Sequence, residues 1–559
     1  MNSKNDVECF DALVVGAGFG GVYMLYRLKQ LGLRVCGVEA ASDVGGAWYW
    51  NRYPGARCDV ESLLYSYSFS AELDAKWKWS ERYATQPEIQ AYISFAADEL
   101  DVRQHIVFDT RVVSAHYNDA TCLWSIETSE GRRLLTRFFV MAAGPLTIFR
   151  YPDIEGVHDF KGETYHTARW PSEKVNFAGK RVGVIGNGSS GTQAIPLIAA
   201  QAEHLDVFIR TAHFSVPAKN APLTEVSYAR WNEEKVRLRS DVRAGRITGA
   251  GDTFIASELL EARRQPAASF SEARQQELLD LYWNSGGAIL AQCFSDVASN
   301  EQTNSVVADY ARRKIAQIIQ DPDIAGILTP RGYPFGGKRL VVDSHYYETF
   351  NRQNVRAVDV ATAPIERVTA TGIRTRDNEY PLDVIVYATG FDAMSGAFDA
   401  IDIRGRGGLL LKQAWAEGPR TFMGVSVAGF PNMLIVNGPG APSVFSNVAS
   451  TNELIVEALA ELVAHMKIIG ALSCEITEEA QDAWVDHNAE CANRTVFSKT
   501  DNWYLGANVP GKPRVLAPYS GGVASYSKKL QQWVDEGFHE VMFGHLTETS
   551  HAASAKDKA

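Results

Sequence analysis

Short apolar runs closed by glycine punctuate the chain. Asp11-Ala12-Leu13-Val14-Val15 is the first, followed by the glycine-rich Gly16–Gly21, an amphipathic stretch reaching Gly32 and a second apolar run, Arg34–Glu39. A short unbroken apolar run fits a strand buried on both faces of a parallel sheet, and two parallel strands need a crossover helix between them. The three segments predict one β-α-β unit. The pattern returns with a strand over Arg181–Ile185, loop and helix over Gly186–Ala200, and a strand over Leu205–Arg210. Between the two units, mixed sequence closes on a third run, Phe138–Ala142, before Ala143-Gly144-Pro145. From about 226 to 329, Glu, Arg, Ala, Leu and Gln dominate, as in Ser257–Gln265 and Ser271–Trp283, which predicts a mostly helical insertion. Strand-like runs resume at Arg339–Val342 and Val384–Tyr387, and the small, polar tail from about Thr547 predicts disorder.

Composition narrows the class. At 559 residues, three to four domains are expected, taking roughly 150 residues per domain. A formal charge of -11 disfavours nucleic acid, which wants a basic face. Met1–Phe10 lacks the charged-then-apolar layout of a signal peptide. The uncharged run Ala12–Tyr26 is broken by glycines and too short to span a bilayer. The 7 cysteines are odd in number and scattered, with no CxxC pair. That predicts a reduced, cytoplasmic chain with no disulfide framework and no metal site. It also removes a dithiol flavin reductase.

The glycine loops carry the first chemistry. In Gly16-Ala17-Gly18-Phe19-Gly20-Gly21, glycines allow a diphosphate to approach the backbone, and the helix that follows offers free N–H donors. Glu39 ends the next strand, where a carboxylate accepts the ribose hydroxyls. The second loop, Gly186-Asn187-Gly188-Ser189-Ser190-Gly191, leads instead to Arg210-Thr211. A guanidinium there pairs with a ribose 2′-phosphate that a carboxylate would repel. The first unit therefore suits FAD and the second NADPH. Gly45-Gly46-Ala47-Trp48 and Ala388-Thr389-Gly390-Phe391-Asp392 are read as further flavin-side stretches, because small residues permit close backbone contact. The fold class is α/β, with two Rossmann-like dinucleotide-binding domains and a helical insertion. Residues 1–145 and 386–559 form the FAD domain, 151–220 and 333–383 the NADPH domain, and 221–332 the insertion.

Between the units, Phe160, Gly162, His166 and Trp170, followed by Pro171, match the pattern FxGxxxHxxxW. The stretch resembles the fingerprint of the type I Baeyer–Villiger monooxygenases. Related N-hydroxylating and flavin-containing monooxygenases usually end the pattern in Phe or Tyr. The resemblance runs from about 10 to about 545 and is similar to phenylacetone, steroid and cyclohexanone monooxygenases. It implies an active-site acid at Asp59, within Asn51–Asp59, and an essential arginine at Arg339. It also implies 2′-phosphate contacts from Arg210, Thr211 and Lys338, and a mobile-loop tryptophan at Trp503. Trp48 and Tyr65 join the cofactor set, and Ser443, Val444 and Phe445, within Gly438–Asn447, the substrate pocket. Ala212 departs from a proline common in relatives. The implied chemistry is hydride transfer from NADPH to FAD, reaction with O2 to a C4a-peroxyflavin, attack on a ketone, and release of an ester or lactone.

On physical grounds a peroxy anion needs a dry site and a fixed cation, which Arg339 suits, with Asp59 as its counter-charge. His166 is read as a linker residue rather than an acid or base. Two alternatives stay open. One is a flavin monooxygenase oxidising N or S heteroatoms. The other is a non-catalytic dinucleotide sensor, which would show no NADPH-dependent oxygen uptake. A monomer is compatible with the sequence.

Overall fold

A computed structural model describes residues 7–545. The expected disordered tail and most of the segment read for a signal peptide lie outside them. The first apolar run becomes the strand Glu8–Val15, with Leu13 and Val14 fully buried. It lies parallel to Val35–Val38 on one side and to Arg133–Met141 on the other. An antiparallel meander through Val112–Asn118 and Leu123–Thr128 feeds the latter strand. Two late strands, Asp402–Arg404 and Met433–Ile435, return to complete this 8-stranded sheet.

The second sheet is wholly parallel. Its order is Val355–Asp359, His204–Ile209, Arg181–Ile185, Val384–Tyr387, Glu163–His166. The boundary expected between 383 and 386 therefore moves. Val384–Tyr387 is buried along its whole length between Arg181–Ile185 and the fingerprint strand Glu163–His166, so the chain leaves the second sheet only after Tyr387. Ala388, expected to serve the flavin side, sits against the second glycine loop. A Cβ at Gly186, where φ is +103°, would lie 2.6 Å from the Ala388 carbonyl oxygen. Gly16, with φ +98°, stands in the same relation to the Ala142 carbonyl, also at 2.6 Å. Both loops turn back against the end of the neighbouring strand so closely that only glycine fits.

The insertion is helical as expected, with Glu225–Arg243, Glu272–Ser285 and Glu301–Ile318 as its longest members. It has no core of its own. Trp231, Leu238 and Val242 of its first helix pack into the first lobe with Tyr526 and Leu530. Leu278, Tyr282, Val307 and Ile315 pack into the second lobe. Polar contacts reinforce the first attachment. Glu453, fully buried in the helix Val448–Ile469, accepts from the Ser68 backbone at 2.5 Å and faces Arg243 at 3.3 Å. Arg243 also pairs with Glu457.

Removing a cation from a buried carboxylate leaves it poorly compensated. Arg243→Met is expected to cost on the order of 2 kcal/mol, discounted because the arginine is partly exposed. A thermal scan should show the unfolding midpoint lowered by a few degrees. An unchanged midpoint would mean the contact is not an anchor.

Candidate active site

The two glycine corners open on one continuous cavity of about 1390 Å³. The helices behind them, Phe19–Gln30 and Ser189–Ala199, begin at Gly18 and Gly188. Neither has a side-chain cap or an acidic residue in its first turn. Such N-termini leave backbone N–H groups free for an anion. At Gly188 a Cβ would meet nothing within 4 Å, so the loop faces open space. At Gly18 it would lie 3.4 Å from the Gly46 Cα, which shows how closely Gly45-Gly46 covers the first loop. A Cβ at Gly21 or Gly191 would strike its own loop, at the Gly16 or Gly186 carbonyl. These cradles fit two diphosphates.

The strand ends differ as the sequence predicts. Glu39 is 4% exposed and accepts from the backbone N–H of Ala17 at 2.7 Å and of Ala41 at 2.8 Å. Burial raises its pKa and these N–H donors lower it. A carboxylate has about four acceptor positions, so capacity for ribose hydroxyls is left. At the second corner Arg210, Thr211 and Lys338 all line the cavity. Neither Arg210 nor Lys338 has an ion-pair partner among the described residues. Lys338 donates to the Asp501 carbonyl, and its pKa is lowered by burial and by Arg210 nearby. Two unneutralised cations in one place fit a phosphate. His213 beneath them was not anticipated. Burial, with Lys338 and Arg210 adding to it, lowers its pKa to about 4 and keeps it neutral.

Trp48 and Tyr65 both line the cavity, and the indole N–H donates to the phenol at 3.0 Å. Arg339 and Asp59 meet between the two corners. The guanidinium Nη2 lies 2.5 Å from the Asp59 carboxylate, and Nη1 donates to the Val444 carbonyl at 2.9 Å. Burial opposes the Arg339 charge, but Asp59, with Tyr504, holds its pKa above the ordinary arginine value. Arg339 itself precedes the short strand Val341–Asp343, so its expected strand begins two residues later.

Trp503 also lines the cavity and packs with Leu146, Met394 and Ala517. Its segment is tied down. Asn502 donates to Gly337 at 2.8 Å, Asn508 to Phe391 at 2.6 Å, and Lys512 pairs with Asp392.

The expected substrate segment is brought in only in part. Val444 faces the cavity. Ser443 is fully buried and held by Asn437 at 3.1 Å. Phe445 stacks on Phe497, with centroids 4.5 Å apart, and reaches Tyr504 rather than the cavity.

The fingerprint lies beside the cavity rather than lining it. His166 is 2% exposed, and its pKa falls to about 4 through burial. Its Nδ1 accepts from Ala168 N–H at 3.1 Å, which leaves Nε2–H to donate to the Arg150 carbonyl at 3.1 Å. Thr389 donates to the same carbonyl. The two chain crossings between the lobes, at Arg150 and at Thr389, are thus joined at one imidazole of the second sheet. Trp170 packs on Tyr165 and Phe177, and half-buried Pro171 follows. Gly162 is pressed between Asp383 and the ring of Phe160. One neighbour in this stretch does reach the cavity: Arg169, stacked over Trp50 at 4.1 Å. No spacing rule marked it. Among the described residues no group of acidic, His or Cys side chains is placed to hold a metal.

One corner suited to a dinucleotide with free ribose hydroxyls faces another suited to a 2′-phosphorylated one, which makes this the fold of a two-dinucleotide oxidoreductase. The flavin-binding monooxygenase-like family matches residues 11–216. A Baeyer–Villiger monooxygenase from Pseudooceanicola batsensis is 39% identical over 545 residues, 97% of each chain. A phenazine N-monooxygenase from Lysobacter antibioticus is 38% identical, covering 96% of this chain and 97% of that one. The structure of an oxidised steroid monooxygenase bound to NADP superimposes with a TM-score of 0.90 at 42% identity, covering 96% of this chain and 99% of that one. The chain belongs to the Baeyer–Villiger branch of the flavin-binding monooxygenases.

The cation pair can be tested directly. Charged hydrogen bonds contribute about 1.5–3 kcal/mol. Arg210→Ala should therefore weaken NADPH binding by roughly 10- to 100-fold while leaving NADH nearly unaffected. Titration with both nucleotides decides it, and an equal loss for both would refute the 2′-phosphate assignment.

Proposed function

We propose that the protein is an FAD-dependent, NADPH- and O2-consuming Baeyer–Villiger monooxygenase that converts ketones to esters or lactones. One oxygen atom enters beside the carbonyl and the other leaves as water. The Arg339–Asp59 pair in the cavity between the two nucleotide corners carries this reading. When bound, the flavin supplies activated oxygen at the expense of NADPH. Gly16, Gly18, Gly21, Glu39, Gly46, Trp48 and Tyr65 would hold FAD. Gly186, Gly188, Ser189, Ser190, Gly191, Arg210, Thr211 and Lys338 would hold NADPH, with Trp503 closing over it.

Arg339 keeps its charge throughout the working pH range. It offers N–H donors where a carbonyl oxygen becomes an oxyanion, the placement that stabilises charge as it develops. Asp59 and the Val444 carbonyl each occupy one amino group and fix the plane of the guanidinium. Five donors are available in all, so others remain for the reacting oxygen.

Oxidation of nitrogen or sulfur is a second reading, supported by the likeness to the phenazine N-monooxygenase. The ketone reading is preferred because transfer to a lone pair develops no oxyanion on the substrate and would leave Arg339 without a task. Among the described residues no helix is long and apolar enough to cross a membrane. With all seven cysteines free, this supports a cytoplasmic setting.

The deciding experiment measures NADPH oxidation by the purified flavoprotein with cyclic, aromatic and steroid ketones, and identifies the products. NADPH use with no ester or lactone from any ketone would overturn the reading. Arg339→Ala should still be reduced by NADPH but lose about 10²-fold or more in ester formation, the scale seen when an oxyanion donor is removed. Ordinary oxygenation by that variant would end the role given to Arg339. Asp59→Ala should slow oxygenation, and an unaltered rate would make Asp59 merely structural.

A further inference from the structure

Asp59 belongs to the first lobe, yet the segment leading to it is fastened to the second. Gln193 stands on the helix Ser189–Ala199, one turn after Ser189 and two residues past the end of the second glycine loop. Its Oε1 accepts from the Tyr53 hydroxyl at 2.8 Å and from the Arg57 backbone N–H at 3.3 Å. Its Nε2 donates to the Arg57 carbonyl at 3.2 Å. Only one orientation of the amide satisfies all three contacts, so the side chain reads the N–H and C=O of a single residue as a neighbouring strand would.

The surroundings are built for this contact. Gly55, with φ +82°, approaches so closely that a Cβ there would lie 2.4 Å from the Gln193 carbonyl. Burial raises the Tyr53 phenol to about 12, while the Ser190 hydroxyl beside it pulls the other way. Tyr53 therefore stays a donor and touches the glycine loop itself. On its far side Arg57 is fixed by Glu81 and by the Tyr83 carbonyl, both at 2.7 Å. Two residues on stands Asp59, bonded to Arg339.

We propose that Gln193 is a positioning residue through which occupancy of the second nucleotide corner sets the placement of Asp59, and with it Arg339. The inference rests on the monooxygenase reading above. A diphosphate settling on Gly188, Ser189 and Ser190 orders the first turn of a helix whose next turn holds the Arg57 backbone. Asp59 would then be held more firmly when the nicotinamide nucleotide is bound.

The test uses the FAD-loaded enzyme and saturating NADP+, with saturation verified by the flavin absorbance change. Hydrogen exchange of the backbone amides in 53–60 is followed in wild type, Gln193→Met and Gln193→Glu. In wild type NADP+ should slow exchange by about tenfold, the scale of one to two amide hydrogen bonds. Gln193→Met should show no such slowing while still registering NADP+ at the flavin. Gln193→Glu keeps the acceptor but not the donor and should fall between them. Ester formed per NADPH consumed should drop in Gln193→Met, and the double variant with Asp59→Ala should be no worse than Asp59→Ala alone. Undiminished slowing and yield in Gln193→Met would overturn the proposal. If that variant loses its flavin, the same two outcomes in Gln193→Glu decide. A wild type that makes no ester from any ketone would strike the functional reading instead, leaving the exchange result to judge Gln193.

Discussion

A guanidinium enclosed in a cavity needs a counter-charge at fixed distance, and here that counter-charge comes from the other lobe. Arg339 and Asp59 stand 280 positions apart in the sequence and 2.5 Å apart in space. The bond can form only if the two nucleotide units face each other in one register. The linkers joined at His166, the segment from Asn502 to Lys512 and the insertion divided between two cores all act on that register. The proposed catalytic geometry is thus a property of the interface, and each lobe alone holds half of it.

Much of this was visible in the order of residues. The two β-α-β corners were legible because buried parallel strands leave unbroken apolar runs and the diphosphate turn admits only glycine. Glu39 and Arg210 were legible because charge at a strand end has few structural uses. Sheet membership was less so. Val384–Tyr387 looks the same whether it returns to the first sheet or stays in the second, and only its pairing with Glu163–His166 settles it. The segment around Ser443 misled for a related reason. Adjacent residues in a tight turn point in different directions, and of Ser443, Val444 and Phe445, Val444 alone turns toward the cavity, which Ser446 also lines. Gln193 left no signal, since a glutamine on a helix has no periodicity to betray a partner 136 residues away.

The most specific motif serves the fold more than the chemistry. Phe160, Gly162, His166 and Trp170 pack a strand, a close approach and a hydrogen-bonded junction of the two crossings. A pattern of that length is demanded by the number of chain segments that meet there. It marks the class of enzyme because the same hinge must hold the same two lobes, not because its residues touch the reacting atoms.

The matched corners bear on how such an enzyme changes over time. Gly16 against Ala142 and Gly186 against Ala388 show the same 2.6 Å clearance, as two castings from one mould. Docking of the diphosphate is written in backbone, whereas the choice between nucleotides rests on a few side chains at the end of the next strand. Those side chains are free to drift while the mould is held constant. An ancestral gene copied within itself could acquire a second cofactor by little more than exchanging an acid for a base, and the preference of either corner stays open to the same revision.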